Sequence, residues 1–156
     1  MWKRIILWSV TILWAVGIFC FSAQPAKKSA AISGKINAEI IHSLTDNNVS
    51  GRDMVTFESK AHNAVRKTAH VGLYLVLGAL TFLLYKTYCA NTKRGCLIAL
   101  GASVLYGASD ELHQLFVSGR SGQITDVLLD GFGAVIGIFL VVACGRIWKT
   151  IIIKKR

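Results

Sequence analysis

The sequence predicts an all-α integral membrane protein, a four-helix bundle with an extracytoplasmic helical loop between its first two spans. Apolar residues make up 53% of the 156, and they fall in long runs rather than at the spacing of a soluble amphipathic helix. The chain has one proline, so little interrupts helices of that length. Its net charge of +10 comes largely from basic residues beside the apolar runs, which favours anionic lipid headgroups as partners over nucleic acid.

The first apolar run covers residues 5–23, nineteen residues without a charge. At 1.5 Å per residue such a helix is about 28 Å long, close to the roughly 30 Å hydrocarbon core of a bilayer. Lys3 and Arg4 before the run are also typical of a signal peptide, with cleavage after Ser22 as the alternative. The length of the run and the apolar character of the rest of the chain favour a retained membrane anchor.

Residues 24–68 form the predicted outer loop, which is mixed and polar. Every fourth residue in part of it is a large aliphatic one: Ile32, Ile36, Ile40 and Leu44. This spacing predicts a short amphipathic helix. Asp53 is a suitable N-cap for a second helix that continues into the next span. A lid packed on the membrane surface accounts for both helices, and a role in recognition is the alternative.

Three further spans are predicted, over residues 69–85, 96–117 and 124–148. The last one contains Gly133 and Gly137 in a G-x-x-x-G pattern, which lets another backbone approach closely. Within one chain this pattern favours packing between its own helices over dimerisation. We therefore expect residues 1–156 to form a single membrane domain, and the sequence leaves its oligomeric state open.

The distribution of basic residues predicts that both termini are cytoplasmic. In that orientation the inner segments contain no acidic residue and carry Lys3, Arg4, Lys86, Lys93, Arg94, Arg146, Lys149 and the basic tail. The short outer turn has only Arg120. This pattern follows the positive-inside rule, so we expect a multi-pass membrane protein with both termini on the cytoplasmic side.

The residues capable of chemistry collect near the predicted outer end of the last three spans. They are Lys67, His70, Tyr74, Asp110, Glu111, His113, Gln114, Arg120, Asp126 and Asp130. Within each helix most of them lie three or four residues apart, so they share one face. Ionisable groups at membrane depth are costly unless paired, so we expect them to point into the bundle, with Lys67 and Arg120 as the cations for the four acids. The alternative is an ion-pair network that only fixes helix register.

Neither a metal nor a cofactor is predicted. The four cysteines show no C-x-x-C spacing, and they are best explained as small apolar residues. A divalent metal on His70, Asp110, His113 and Asp126 would need a mixed ligand set that no tight motif supports.

The order and spacing of the polar residues resemble the VanZ-like family. The matching elements are Lys67-Thr-Ala-His70 with Tyr74, Asp110-Glu-Leu-His-Gln114, Gly119-Arg120, Asp126 and the glycine-bearing start of the last helix. One departure is Asp130, where the family pattern would carry an amide more often. The resemblance implies a small bacterial inner-membrane protein of the cell envelope. It also implies a family named for a member associated with resistance to the glycopeptide antibiotic teicoplanin, and it implies no particular reaction.

Three functions from different classes follow. The first is a site that binds or modifies an anionic envelope lipid or lipid-linked intermediate, with Lys67 and Arg120 on a phosphate group. Its acid–base candidates are His70, Asp110, Glu111 and His113. No activated Ser or Cys accompanies them, so the sequence leaves open whether the protein is an enzyme. The second function is a proton-linked or ion-linked carrier, and the third is a non-catalytic module that binds a membrane partner.

Overall fold

The computed structural model describes residues 1–24, 51–118, 120 and 122–154, with side chains for 1–24, 64–118, 120 and 122–147. These residues form four helices and no strand, which confirms the all-α class. The helices are α1 (Trp2–Ser22), α2 (Gly51–Lys86), α3 (Thr92–Gln114) and α4 (Ile124–Lys154).

Three helices are long and apolar enough to cross a membrane: α1, the part of α2 from Ala64 to Lys86, and the part of α4 from Ile124 to Ile147. Helix α3 has 23 residues, so its length is also sufficient, but its polar residues keep it out of that group. The predicted membrane bundle is therefore supported by three helices. That α3 is a fourth span stays a prediction, which its packing against α2 and α4 favours.

Helix α2 is longer than the span predicted at 69–85. It begins at Gly51 and continues without a break into the apolar segment, as the sequence predicted. Asp53 consequently lies within α2 rather than at an N-cap, so that part of the prediction was wrong. The amphipathic helix predicted between Ile32 and Leu44 lies outside the described residues.

Helix α3 has a clear N-cap, because the Asn91 side chain accepts a hydrogen bond from the Arg94 backbone N–H at 3.0 Å.

The helices alternate in direction. At one end of the bundle, Arg4 of α1 reaches the end of α2, where its Nη2 donates to the Thr87 carbonyl at 2.8 Å and its guanidinium lies over the Tyr88 ring. At the other end, Ser22 of α1 bonds Asp110 of α3. We call the first the basic end and the second the polar end of the bundle.

Glycines allow α2 and α4 to pack closely, and this is the most extensive helix contact among the described residues. A Cβ atom on Gly78 would lie 2.6 Å from the Ala134 carbonyl oxygen. On α4, Gly133 and Gly137 face the backbones of Val71 and Leu75 with no room for a side chain. The predicted use of the G-x-x-x-G pattern for packing within the chain is thus confirmed. This close contact fixes the position of the polar residues that α2 and α4 carry.

Candidate functional site

The polar end brings together side chains of all four helices, in two sets of contacts. The first, which we call the Asp110 network, joins α1, α3 and the turn before α4. Ser22 Oγ donates to Asp110 Oδ2 at 2.5 Å, and both residues are buried. Gln114, one turn further along α3, donates from Nε2 to the same oxygen at 3.1 Å and to Glu111 Oε1 at 3.1 Å. Asp110 is therefore bound by neutral donors, and not by the cations predicted for it.

Glu111 connects α3 to the start of α4. Its second carboxylate oxygen accepts from the backbone N–H of Gln123 at 2.9 Å, so both oxygens are bonded. The turn lies tightly against α3 at this point, because a Cβ on Gly122 would approach the Glu111 carbonyl oxygen to 2.8 Å. Gly122, in the turn before α4, thus lets the backbone of the turn reach the Glu111 carboxylate.

Arg120 extends from the same turn towards the end of α1. Its Nε donates to the Gln24 carbonyl at 2.9 Å, Nη1 to Gln114 Oε1 at 3.3 Å, and Nη2 to the Phe21 carbonyl at 3.5 Å. These acceptors are all neutral. Burial lowers the pKa of the guanidinium from its usual value, and the positive charge of Arg66 lowers it further. A guanidinium nevertheless stays protonated at physiological pH, so Arg120 carries a full charge on neutral contacts.

The second set of contacts joins α2 to α4. Lys67 Nζ lies 2.8 Å from Asp126 Oδ1, and Arg66 Nη2 lies 3.6 Å from Asp126 Oδ2. The two cationic side chains are 35% and 22% exposed, whereas the Asp126 side chain is 10% exposed. Lys67 was predicted from the sequence as a cation for the four acids, and Arg66 was not. The signal for Arg66 was its position directly before Lys67 at the same level of the bundle.

Deeper on the same helices, His70 faces Asp130. His70 Nδ1 is 3.7 Å from Asp130 Oδ1, which is within ion-pair range but too long for a hydrogen bond. Asp130 is fully buried, and within the described part of the chain neither of its oxygens has a hydrogen-bond partner. A cavity of about 10 Å³ lies between this pair and Lys67, room for a single water molecule and far too small for a substrate.

Tyr74 and His113 occupy different surroundings. Tyr74 is fully buried, and both its ring and the Asp130 carboxylate lie near Gly107, where an added Cβ would be 3.4 Å from the ring and 3.6 Å from the carboxylate. His113 instead has its ring 4.4 Å from that of Phe19 on α1. The described partner of the His113 ring is therefore an aromatic ring and not a carboxylate.

Ser22 is the main residue that sequence reasoning missed. It was considered only as the end of a possible signal peptide, yet in the structure it is a fully buried member of α1 bonded to Asp110. The available signal was a small hydroxyl at the end of an apolar run, at the level predicted for the acids. Among the described side chains, no group of three His, Cys, Asp or Glu residues is arranged to hold a metal ion.

The model of the family described as VanZ/LLP1 matches residues 7–148, a range that includes Ser22 and all of the predicted site residues. Neither a curated protein nor a solved structure matches the chain.

Proposed function

This chain belongs to the VanZ/LLP1 family, and from that premise we propose that it binds an anionic group of an envelope lipid or lipid-linked intermediate at the polar end of its helix bundle. Three of the described helices are apolar enough to span a membrane, which would place lipids around the bundle. In line with the charge pattern, the proposed setting is the bacterial cytoplasmic membrane with the polar end outward.

Arg120 carries the proposal. Its guanidinium bonds two backbone carbonyls and one side-chain amide, and no carboxylate lies within 4 Å of it among the described residues. A charged group with only neutral contacts retains much of its attraction for an anion. Two of the three contacts are long, at 3.3 and 3.5 Å, so a phosphate oxygen could replace them at little cost.

The order of charges with depth also favours an anionic ligand. The half-buried cations Arg66, Lys67 and Arg120 are more exposed than the buried acids Asp110, Glu111, Asp126 and Asp130. A ligand that arrives from the headgroup region therefore meets positive charge first. Asp126 keeps Lys67 in place by an ion pair at 2.8 Å.

The geometry supports binding better than covalent chemistry. The Ser22 hydroxyl is fully buried and donates to Asp110, so it is not accessible as a nucleophile. Both oxygens of Glu111 are bonded, and His113 contacts the Phe19 ring. Among the acid–base candidates, His70 beside Asp130 has the most suitable surroundings for proton transfer.

The test compares lipids of equal chain length. The purified protein is titrated in detergent with fluorescent phosphatidylglycerol and phosphatidylcholine. We expect tighter binding of the anionic lipid, and a loss of about tenfold for Arg120→Lys, because the planar fork is lost while the charge is kept. Arg120→Ala should lose more. Lys93→Ala removes a charge at the basic end and should bind normally.

Stability and a cellular assay complete the design. Each variant's unfolding is measured in detergent, and teicoplanin susceptibility is measured in cells at matched expression. Equal binding of both lipids by the wild-type chain, or normal binding by both Arg120 variants, would refute anion recognition. If Arg120→Ala lowers stability and both variants bind normally per folded molecule, the residue serves only to fix helix register.

A proton-linked carrier is the second candidate, and the buried Asp130 is the observation that favours it. A carboxylate at membrane depth without hydrogen bonds from the described residues is a suitable proton acceptor, and His70 is its neighbour. Proton uptake by proteoliposomes that Asp130→Asn abolishes would favour the carrier. Uptake equal to that of protein-free vesicles would exclude it.

A further inference from the structure

An apolar groove runs along α1 on the side that faces α2. Six residues of α1 between Val10 and Phe21 and Leu73 of α2 line it, and its volume is about 360 Å³. Pockets that bind small molecules have volumes of about 300–1,000 Å³, so the groove is large enough for part of a ligand. Of these residues, the proposed lipid function uses only the Phe21 backbone carbonyl.

The chemistry of the groove suits hydrocarbon. Apart from Trp14, its lining side chains are aliphatic or aromatic hydrocarbon or a glycine. The Trp14 indole N–H already donates to the Leu73 carbonyl at 2.9 Å. From Val10 to Phe21 the helix advances about 16 Å, which is close to half of the roughly 30 Å hydrocarbon core. The groove is therefore about as long as one leaflet is thick.

One end of the groove meets the proposed headgroup site. Phe21 lines the groove, and its carbonyl oxygen lies 3.5 Å from Arg120 Nη2. A membrane lipid has a charged headgroup joined to acyl chains, so one molecule could reach both features. We propose that the groove binds an acyl chain of the same anionic lipid whose headgroup contacts Arg120. The ligand is thus a lipid with a long acyl chain and a negatively charged headgroup, an inference that rests on the proposed function.

Gly17 offers a way to fill the groove without disturbing the protein. It lines the groove, and a Cβ placed on it would have no neighbouring heavy atom within 4 Å. A leucine at this position also favours the helix more than glycine does. Gly145 is a matched control, because it lies near the end of α4, is exposed, and has equally open space around its Cβ.

The experiment uses the full chain in detergent with two probes that share a headgroup. These are long-chain phosphatidylglycerol and its soluble six-carbon-chain analogue. Each excluded methylene costs about a factor of four in affinity. Gly17→Leu should therefore weaken long-chain binding at least about tenfold and leave short-chain binding unchanged. Gly145→Leu should match the wild type with both probes.

A photoactivatable group at the end of the acyl chain locates the chain directly. Crosslinks should fall between residues 10 and 21 of α1 and disappear in Gly17→Leu. If Arg120→Ala weakens both probes while Gly17→Leu binds the long chain normally, the headgroup site is right and the groove proposal is wrong. A second outcome is that Arg120→Ala binds both probes as tightly as the wild type, while crosslinks map to α1 and are lost in Gly17→Leu. The groove then binds the acyl chain, and the proposed function is wrong. Crosslinks outside α1 would overturn the groove proposal.

Discussion

Replacing Gly78 with alanine is expected to force α2 and α4 apart. The added Cβ would lie 2.6 Å from the Ala134 carbonyl oxygen, 2.7 Å from its Cα and 2.9 Å from its Cβ. Carbon atoms pack best at about 3.5–4.0 Å, so the two helices would have to separate by about 1 Å at this point. Two of the three opposing atoms are backbone atoms within a helix and cannot rotate away. Overpacking of this kind costs about 1–3 kcal/mol.

Gly72 provides the control on the same helix. A Cβ there would have no neighbour within 4 Å, so Gly72→Ala should only gain the helix preference of alanine over glycine, about 1 kcal/mol. Both variants share that gain, and it cancels when they are compared. The free energy of unfolding should therefore be about 1–3 kcal/mol lower for Gly78→Ala than for Gly72→Ala.

The assay is denaturant unfolding of the purified protein in detergent, followed by the helical circular dichroism signal. Lipid binding should also fall in Gly78→Ala, because the ion pair of Lys67 with Asp126 spans the same two helices. Equal unfolding free energies for the two variants would show that α2 and α4 are not in such close contact. The account of how the site is positioned would then be wrong as well.

Two further predictions concern the Asp110 network and the topology. Ser22→Ala removes a hydrogen bond to a buried carboxylate and should lower the unfolding free energy by about 1–3 kcal/mol. Ser109→Ala, at an exposed position, should change it by less than about 0.5 kcal/mol, and equal effects in the unfolding assay would contradict this. In a chain freed of native thiols, a cysteine at Asn48 should react with an impermeant reagent added to intact cells, and one at Arg156 should not. The reverse labelling pattern would refute the predicted orientation.

Much of the fold follows from the sequence because membrane helices are specified by long apolar runs. The first helix was predicted at 5–23 and is observed at Trp2–Ser22. The start of α2 was less predictable. Its residues before Ala64 are polar, and a capping residue such as Asp53 marks a helix start only to within a few positions. Glycine spacing predicted close packing on α4, but its partner on α2 depends on helix rotation, which a single sequence does not specify.

The sequence predicted which residues gather at the polar end, but it did not predict their hydrogen bonds and contacts. Asp110 and His113 were expected to share a face, and in the structure both face α1. Their partners there, Ser22 and Phe19, belong to a helix without any recognised motif. A lone hydroxyl or aromatic ring in an apolar run carries no signal of its own. The charge pattern therefore suggested a cation for Asp110, while the structure uses a hydroxyl and an amide.

A register clamp, meaning a network of polar contacts that only fixes how the helices align, accounts for only part of this arrangement. In the Asp110 network each side chain has at least one hydrogen bond, and the network ties α1 and α3 to the turn before α4, as a clamp would. Asp130 is different. It is buried on a span, and no described residue donates a hydrogen bond to either of its oxygens. A buried carboxylate that has no hydrogen bond from a described residue, and whose ion-pair partner His70 is 3.7 Å away, is costly at membrane depth, so a protein that needed only a clamp would be more stable with an amide there. A charge-capable group at this position is better explained by the proposed binding of a proton or a ligand than by packing.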